Sequence, residues 1–146
     1  MIRFFKLLSV IFLIIIFSAC KKDNSNNNNN SNVNFAATLS GASESTPNTS
    51  TATGSSTGVY NMSSKILTVT TTYSGITVTV GHIHKGETGI SGPVEFPFII
   101  TASPILFTSS ALSISEETDL MENKFYVNLH SAVYPAGEIR GQLIKQ

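Results

Sequence analysis

The 146-residue chain carries nine Lys and Arg against nine Asp and Glu, with three His and one Cys. This near-neutral balance offers no basic patch for nucleic acid. A single cysteine excludes an internal disulfide and any Cys-rich zinc site.

In chain order, Arg3 and Lys6 form a short basic start, and Leu7 to Phe17 is almost unbroken aliphatic and aromatic. That run is short for a bilayer span and suits the apolar region of a signal peptide over residues 1–19. Small residues before the lone cysteine, Phe17-Ser18-Ala19-Cys20, resemble a bacterial lipobox. The resemblance implies cleavage before Cys20 and acylation there, as on palmitate-bearing envelope lipoproteins. The membrane would then be a partner through the lipid at Cys20. Without residues 1–19, seven Lys and Arg face nine Asp and Glu, a formal charge of −2 with an acylated amino terminus.

Residues 20–33, acylated Cys20 followed by an Asn-rich run, hold too few apolar side chains to offset the entropy of ordering. They read as a flexible tether, with a reach of about 20 Å at ~5–6 Å × √n. Lys21-Lys22-Asp23 is similar to charged signals that send Bacteroidetes lipoproteins to the cell surface. The expected location is the outer membrane, on its periplasmic or exposed face.

Residues 34–146 read as one all-β domain, an antiparallel β-sandwich or flattened Greek-key barrel of about seven to eight strands. Val33–Leu39 is the first strand, then a Ser/Thr/Gly/Pro-rich loop to about Ser56 and a short strand at Gly58–Met62. Lys65–Tyr73 alternates strictly, and a Ser74-Gly75 turn predicts a hairpin with Ile76–His84. Val80 shares its parity with His82 and His84, so Gly81 is the expected place for a bulge that resets the phase. Pro97 assigns Val94–Ile100 to an edge. Leu106–Ile114 is a further strand. Ser115–Glu122 is the one helical stretch, with Ser115 as N-cap and Glu116, Glu117 and Asp119 near the positive dipole end. Lys124–His130 and Glu138–Ile144 form a final pair, which would put His130 and Asn128 on one face with Glu138 and Arg140.

Two separated stretches, "GHIHKGETGISGPV" at 81–94 and "FYVNLHSAVYPAGEIRGQL" at 125–143, resemble the chordin-type domain, written CHRD. The opening "FAATLSGASESTP" at 35–47 resembles the start of that family, with one extra residue between Glu44 and Pro47. The resemblance implies an extracytoplasmic β domain. It does not imply growth-factor antagonism, because function belongs to the site rather than to the fold.

Glu116, Glu117, Asp119 and Glu122 read as the solvated face of the helix. No serine sits in a nucleophile elbow and no Gly-rich phosphate loop opens a helix, so no catalytic site is expected. His82 and His84 project from one strand face with Cα atoms ~6.5–7 Å apart. With His130 from a later strand they could hold one copper or zinc ion. The arrangement is similar to the copper half of Cu/Zn superoxide dismutase. Only these three residues carry over, which excludes a complete dinuclear site. The other reading is a structural polar cluster in which the histidines, Glu87, Asn128, Glu138 and Arg140 tie the Gly86–Pro93 loop to the sheet. The two functional expectations are therefore a non-enzymatic binding or structural module with a protein or glycan ligand, and a mononuclear copper or zinc protein.

Overall fold

The computed structural model describes residues 31–146. The signal segment 1–19, Cys20 and nearly all of the tether lie outside the described residues. No described helix is long and apolar enough to cross a membrane.

Among the described residues, nine strands form one antiparallel sheet: β1 Asn32–Ser40, β2 Thr53–Asn61, β3 Ile66–Ser74, β4 Val80–Lys85, β5 Val94–Pro97, β6 Ile105–Ala111, β7 Phe125–His130, β8 Ile139–Gln142 and the two-residue β9 Ile144–Lys145. The order across the sheet is β5-β4-β7-β8-β1-β2-β3-β6, with β9 also paired to β1. The two edge strands meet through side chains. Phe107 of β6 packs at a tilt against Phe96 of β5 and Phe98 just beyond it, at 5.5 and 5.6 Å between ring centroids. The sheet is a nearly closed barrel, the flattened-barrel form of the expected all-β architecture.

Strict alternation builds the interior. In β3, Leu67, Val69 and Thr71 point inward, while Thr68, Thr70 and Thr72 face solvent. Leu39, Ile83, Ile105, Val127, Leu129 and Ile139 are fully buried in the same core. Each such side chain contributes roughly 1.5–3 kcal/mol of burial free energy. Buried Thr71 is tolerated because its hydroxyl bonds Ser56 Oγ at 2.8 Å.

Four local expectations are corrected. The Ser74-Gly75 hairpin does not form: β3 pairs with β2 and β6, and β4 with β5 and β7. Residues 75–79 instead cross the barrel end outside any ladder, with Ile76 and Val78 packed on the core. β2 starts at Thr53, well before Gly58: it pairs along its whole length with β1 and β3, although its inward row of Gly54, Ser56, Gly58 and Tyr60 is largely small or polar and shows little apolar alternation. The helix, α1, runs Ile114–Met121 with Ser113 as N-cap rather than Ser115. Ser113 Oγ accepts from Glu116 N, and Glu116 Oε2 accepts from Ser113 N at 2.6 Å. This reciprocal capping box satisfies two free amides at once, which Ser115 could not do. Finally, Gly81 is not a bulge. It faces the core, where a Cβ would meet Leu129 Cδ2 at 2.8 Å and Phe98 at 3.1 Å. The phase change of the strand occurs in 75–79, and the register shift in this region lies between Ile83 and His84, on the β5 side.

Candidate metal centre

Pairing of β4, β7 and β8 sets the site. Directly opposed residues in antiparallel strands project to the same side. His82, Asn128 and Arg140 therefore form one cross-strand row, His84, Tyr126 and Gln142 the next, and Val80 faces His130. The opposite face of these strands supplies Ile83, Val127, Leu129 and Ile139 to the core. Five of the six β7 residues are buried, so this polar face is covered by loops rather than open to water.

The three imidazoles meet there. One ring nitrogen from each of His82, His84 and His130 lies within 4.8 Å of the others, and no carboxylate or thiol joins the group among the described residues. His82 Nδ1 and His130 Nε2 are 3.4 Å apart. Two of the rings are held from behind. His84 Nδ1 faces the Gly92 carbonyl at 3.0 Å, and His130 Nδ1 faces the Pro135 carbonyl at 3.1 Å. A carbonyl only accepts, so each neutral ring carries its proton on Nδ1 and turns an Nε2 lone pair toward its neighbours. His84 Nε2 is buried with no hydrogen-bond partner. Burial lowers the His84 pKa despite the opposing Gly92 hydrogen bond, with the charges of His130 and Arg140 adding to the decrease. Burial also lowers that of His82, helped by His130 and His84.

A ladder of side chains supports this triad. His84 stacks on Tyr126 at 5.0 Å with planes 6° apart, and the Arg140 guanidinium lies 3.4 Å from the centre of the same ring. Arg140 Nη2 donates to the Glu87 carbonyl at 2.9 Å, and Gln142 Nε2 donates to the Gly86 and Asn123 carbonyls. The Gly92 amide donates to Tyr126 Oη at 3.0 Å. Residues 86–92 are thus tied to the sheet at both ends. Gly92 is required there, because any Cβ would overlap the Lys85 carbonyl.

Of the residues expected in a polar cluster, Asn128 and Arg140 share the His82 row, while Glu87 and Glu138 take other places. Glu87 contributes its backbone carbonyl, and its side chain is not the partner of Arg140. Glu138 is buried and accepts from Ser50 Oγ at 2.6 Å. Asn128 donates from Nδ2 to Glu44 Oε2 at 3.3 Å. Glu44, Tyr126 and Gln142 were not among the expected site residues. The parity of Tyr126 with Asn128 and His130, and of Gln142 with Arg140, was the available signal for two of them. Glu44 sits on a loop whose closure over β7 has no local sequence signature. Burial raises its pKa from 4.5 to about 7, against the pull of Arg140 and the Asn128 hydrogen bond.

The CHRD domain family model matches residues 35–143. The chain belongs to the CHRD domain family. No curated protein and no solved structure matches it. The matched span of this CHRD protein includes all three histidines, the Glu44 loop and the β7–β8 pair.

The chemistry open to the triad follows from its donors. Three imidazole nitrogens with carbonyls behind two of the rings form a donor set suited to copper or zinc. They offer neither the oxygen shell of calcium nor the thiolates of a structural zinc site.

Proposed function

We propose that this CHRD domain is a non-enzymatic binding module whose ligand is a single copper or zinc ion held by His82, His84 and His130. The observation that carries the reading is His84 Nε2, a buried polar atom with no hydrogen-bond partner, in a group of three imidazoles that each bring one ring nitrogen within 4.8 Å of the others. Leaving such an atom unsatisfied costs about 1–3 kcal/mol, and a metal ion satisfies it. Backbone carbonyls behind His84 and His130 fix ring orientation, as acceptors on the far ring nitrogen do in metal sites. Among divalent ions this set ranks copper above zinc.

The same proposal places the domain at the cell envelope, anchored through a lipid on Cys20 and carried on residues 21–31. Its support is the apolar run ending in Phe17-Ser18-Ala19-Cys20. Elemental analysis of the mature protein, purified from membranes without a histidine tag, tests both parts. The expected result is close to one equivalent of copper or zinc, in protein that partitions into detergent. Metal-free protein that remains metal-free after incubation with either ion would overturn the first part. Recovery in the aqueous phase would overturn the second.

A further inference from the structure

The chain enters the barrel at Asn32, the start of β1. His82 is level with Asn128, Arg140 and Ser40 across four strands, and Ser40 is the last residue of β1. Ser40 lies eight residue steps beyond Asn32, about 26 Å at ~3.3 Å per residue. The triad therefore lies toward the barrel end opposite the tether.

That end differs in charge from the tether end. It is built from residues 41–52, 75–79, 98–104 and 131–138, and the charged residues of these segments are Glu44 and Glu138, both buried. The tether end, residues 61–65, 86–93, 112–124 and 143–146, holds eight charged residues. At the triad end the exposed side chains include Val80, Ile99 and Val133. Val80 is paired with His130 and projects to the histidine side.

Three uncharged nitrogen donors leave the full double charge of a divalent ion uncompensated. Glu138 is engaged by Ser50, and Glu44 is held by Asn128. Arg140, in the His82 row, adds positive potential. His82 and His130 are each only half-buried, whereas His84 Nε2 is sealed, so an external ligand must approach past the first two rings.

We propose that the metal centre takes a small, exchangeable anion as its fourth ligand, admitted beside His82 and His130 at the end of the barrel away from the tether. The inference rests on the metal reading above. It makes a ligand-binding site of what would otherwise be a closed structural ion.

The test uses the mature protein loaded with one equivalent of Cu(II), confirmed by elemental analysis, and titrated with sodium azide at constant ionic strength. The expected result is a single saturable azide-to-copper charge-transfer band with 1:1 stoichiometry. Val80→Asp puts a carboxylate beside the triad on an exposed position, while Val80→Asn adds the same shape without charge. V80D should weaken azide binding by about tenfold or more, with copper stoichiometry unchanged and V80N close to wild type. A copper-loaded protein whose spectrum ignores azide has its fourth position filled by the chain, and the proposal fails. Equal azide affinity in V80D and V80N would overturn the electrostatic basis. A protein that takes up no copper fails at the loading step, which ends the metal reading and this one together.

Discussion

Replacing Glu44 with Gln should remove a pH dependence of stability. Glu44 is 7% exposed, and Asn128 Nδ2 donates to its Oε2. Two atoms of the pair, Glu44 Oε1 and Asn128 Oδ1, are buried without a partner. Both lie beside Gly137, at 2.8 and 2.9 Å from where its Cβ would stand; at φ +133° only glycine fits there without strain. Protonation of Oε1 would supply the donor that Asn128 Oδ1 lacks, and the expected arrangement is a doubly bonded carboxyl–carboxamide pair. Folding therefore favours the neutral acid, in keeping with a pKa raised from 4.5 to about 7, mainly by burial. The sign follows by linkage: the stabilisation is complete below pH 4.5 and is lost as pH rises through about 7. At 1.36 kcal/mol per pH unit the full rise is worth at most about 3.4 kcal/mol, and residual solvation of the carboxyl reduces it. Gln keeps the shape, the Asn128 bond and a donor toward Oδ1, but does not titrate. Denaturant unfolding at pH 5 and pH 8 should show wild type losing on the order of 2 kcal/mol relative to E44Q. His82 and His84, with lowered pKa values, act in the opposite direction in both proteins, so the difference isolates Glu44. Parallel pH profiles for the two proteins would refute the neutral-acid pair.

Three further outcomes are expected. Gly92→Ala should displace the 86–92 loop from the Lys85 carbonyl and withdraw the His84 Nδ1 acceptor. It should lower both melting temperature and metal affinity, the latter by roughly tenfold or more as for other second-shell losses, measured by calorimetry. Val127→Asp should cost several kcal/mol by putting an unpaired charge in a fully buried position, read from urea unfolding. Cys20→Ser should abolish lipid labelling and detergent partitioning. Unchanged labelling would sink the anchor.

The strands were legible where side chains differ strongly in polarity. Leu67, Val69 and the intervening threonines of β3, and Phe125, Val127 and Leu129 of β7, reveal their inward faces by period two. β2 hid its length because Gly54 and Ser56 occupy inward positions without an apolar side chain, and Ser56 is satisfied only by Thr71 of another strand. The Ser74-Gly75 turn misled because a turn signal fixes a change of direction, not the strand that follows it. Which ladder β4 joins depends on Ile83 docking between β5 and β7, a long-range choice. Ser113 was visible as the cap through its spacing to Glu116, but Ser115 offered a competing acidic turn. Around the histidines, period two with the β7–β8 pairing put Asn128 and Arg140 in the right neighbourhood. It did not reveal that Glu87 acts through its carbonyl, that Glu138 turns to Ser50, or that Glu44 arrives from a loop eighty-four residues before Asn128. Those contacts depend on loop paths, and loop paths follow from closure of the whole barrel.

The most direct test of the metal centre is calorimetric titration of the tag-free mature protein with Cu(II) and Zn(II), against a His82→Ala/His84→Ala/His130→Ala variant, at pH 7.5 and pH 5.5. Each ligating imidazole must be neutral, so protons compete with the ion. Burial keeps His82 and His84 below the ordinary value of 6.5, which holds them ready at pH 7.5 and delays the loss on acidification. Expected are 1:1 binding at pH 7.5, an affinity lower by about tenfold or more at pH 5.5, and no specific binding in the triple variant. Wild-type protein that binds neither ion more tightly than the triple-alanine variant does would contradict the metal reading.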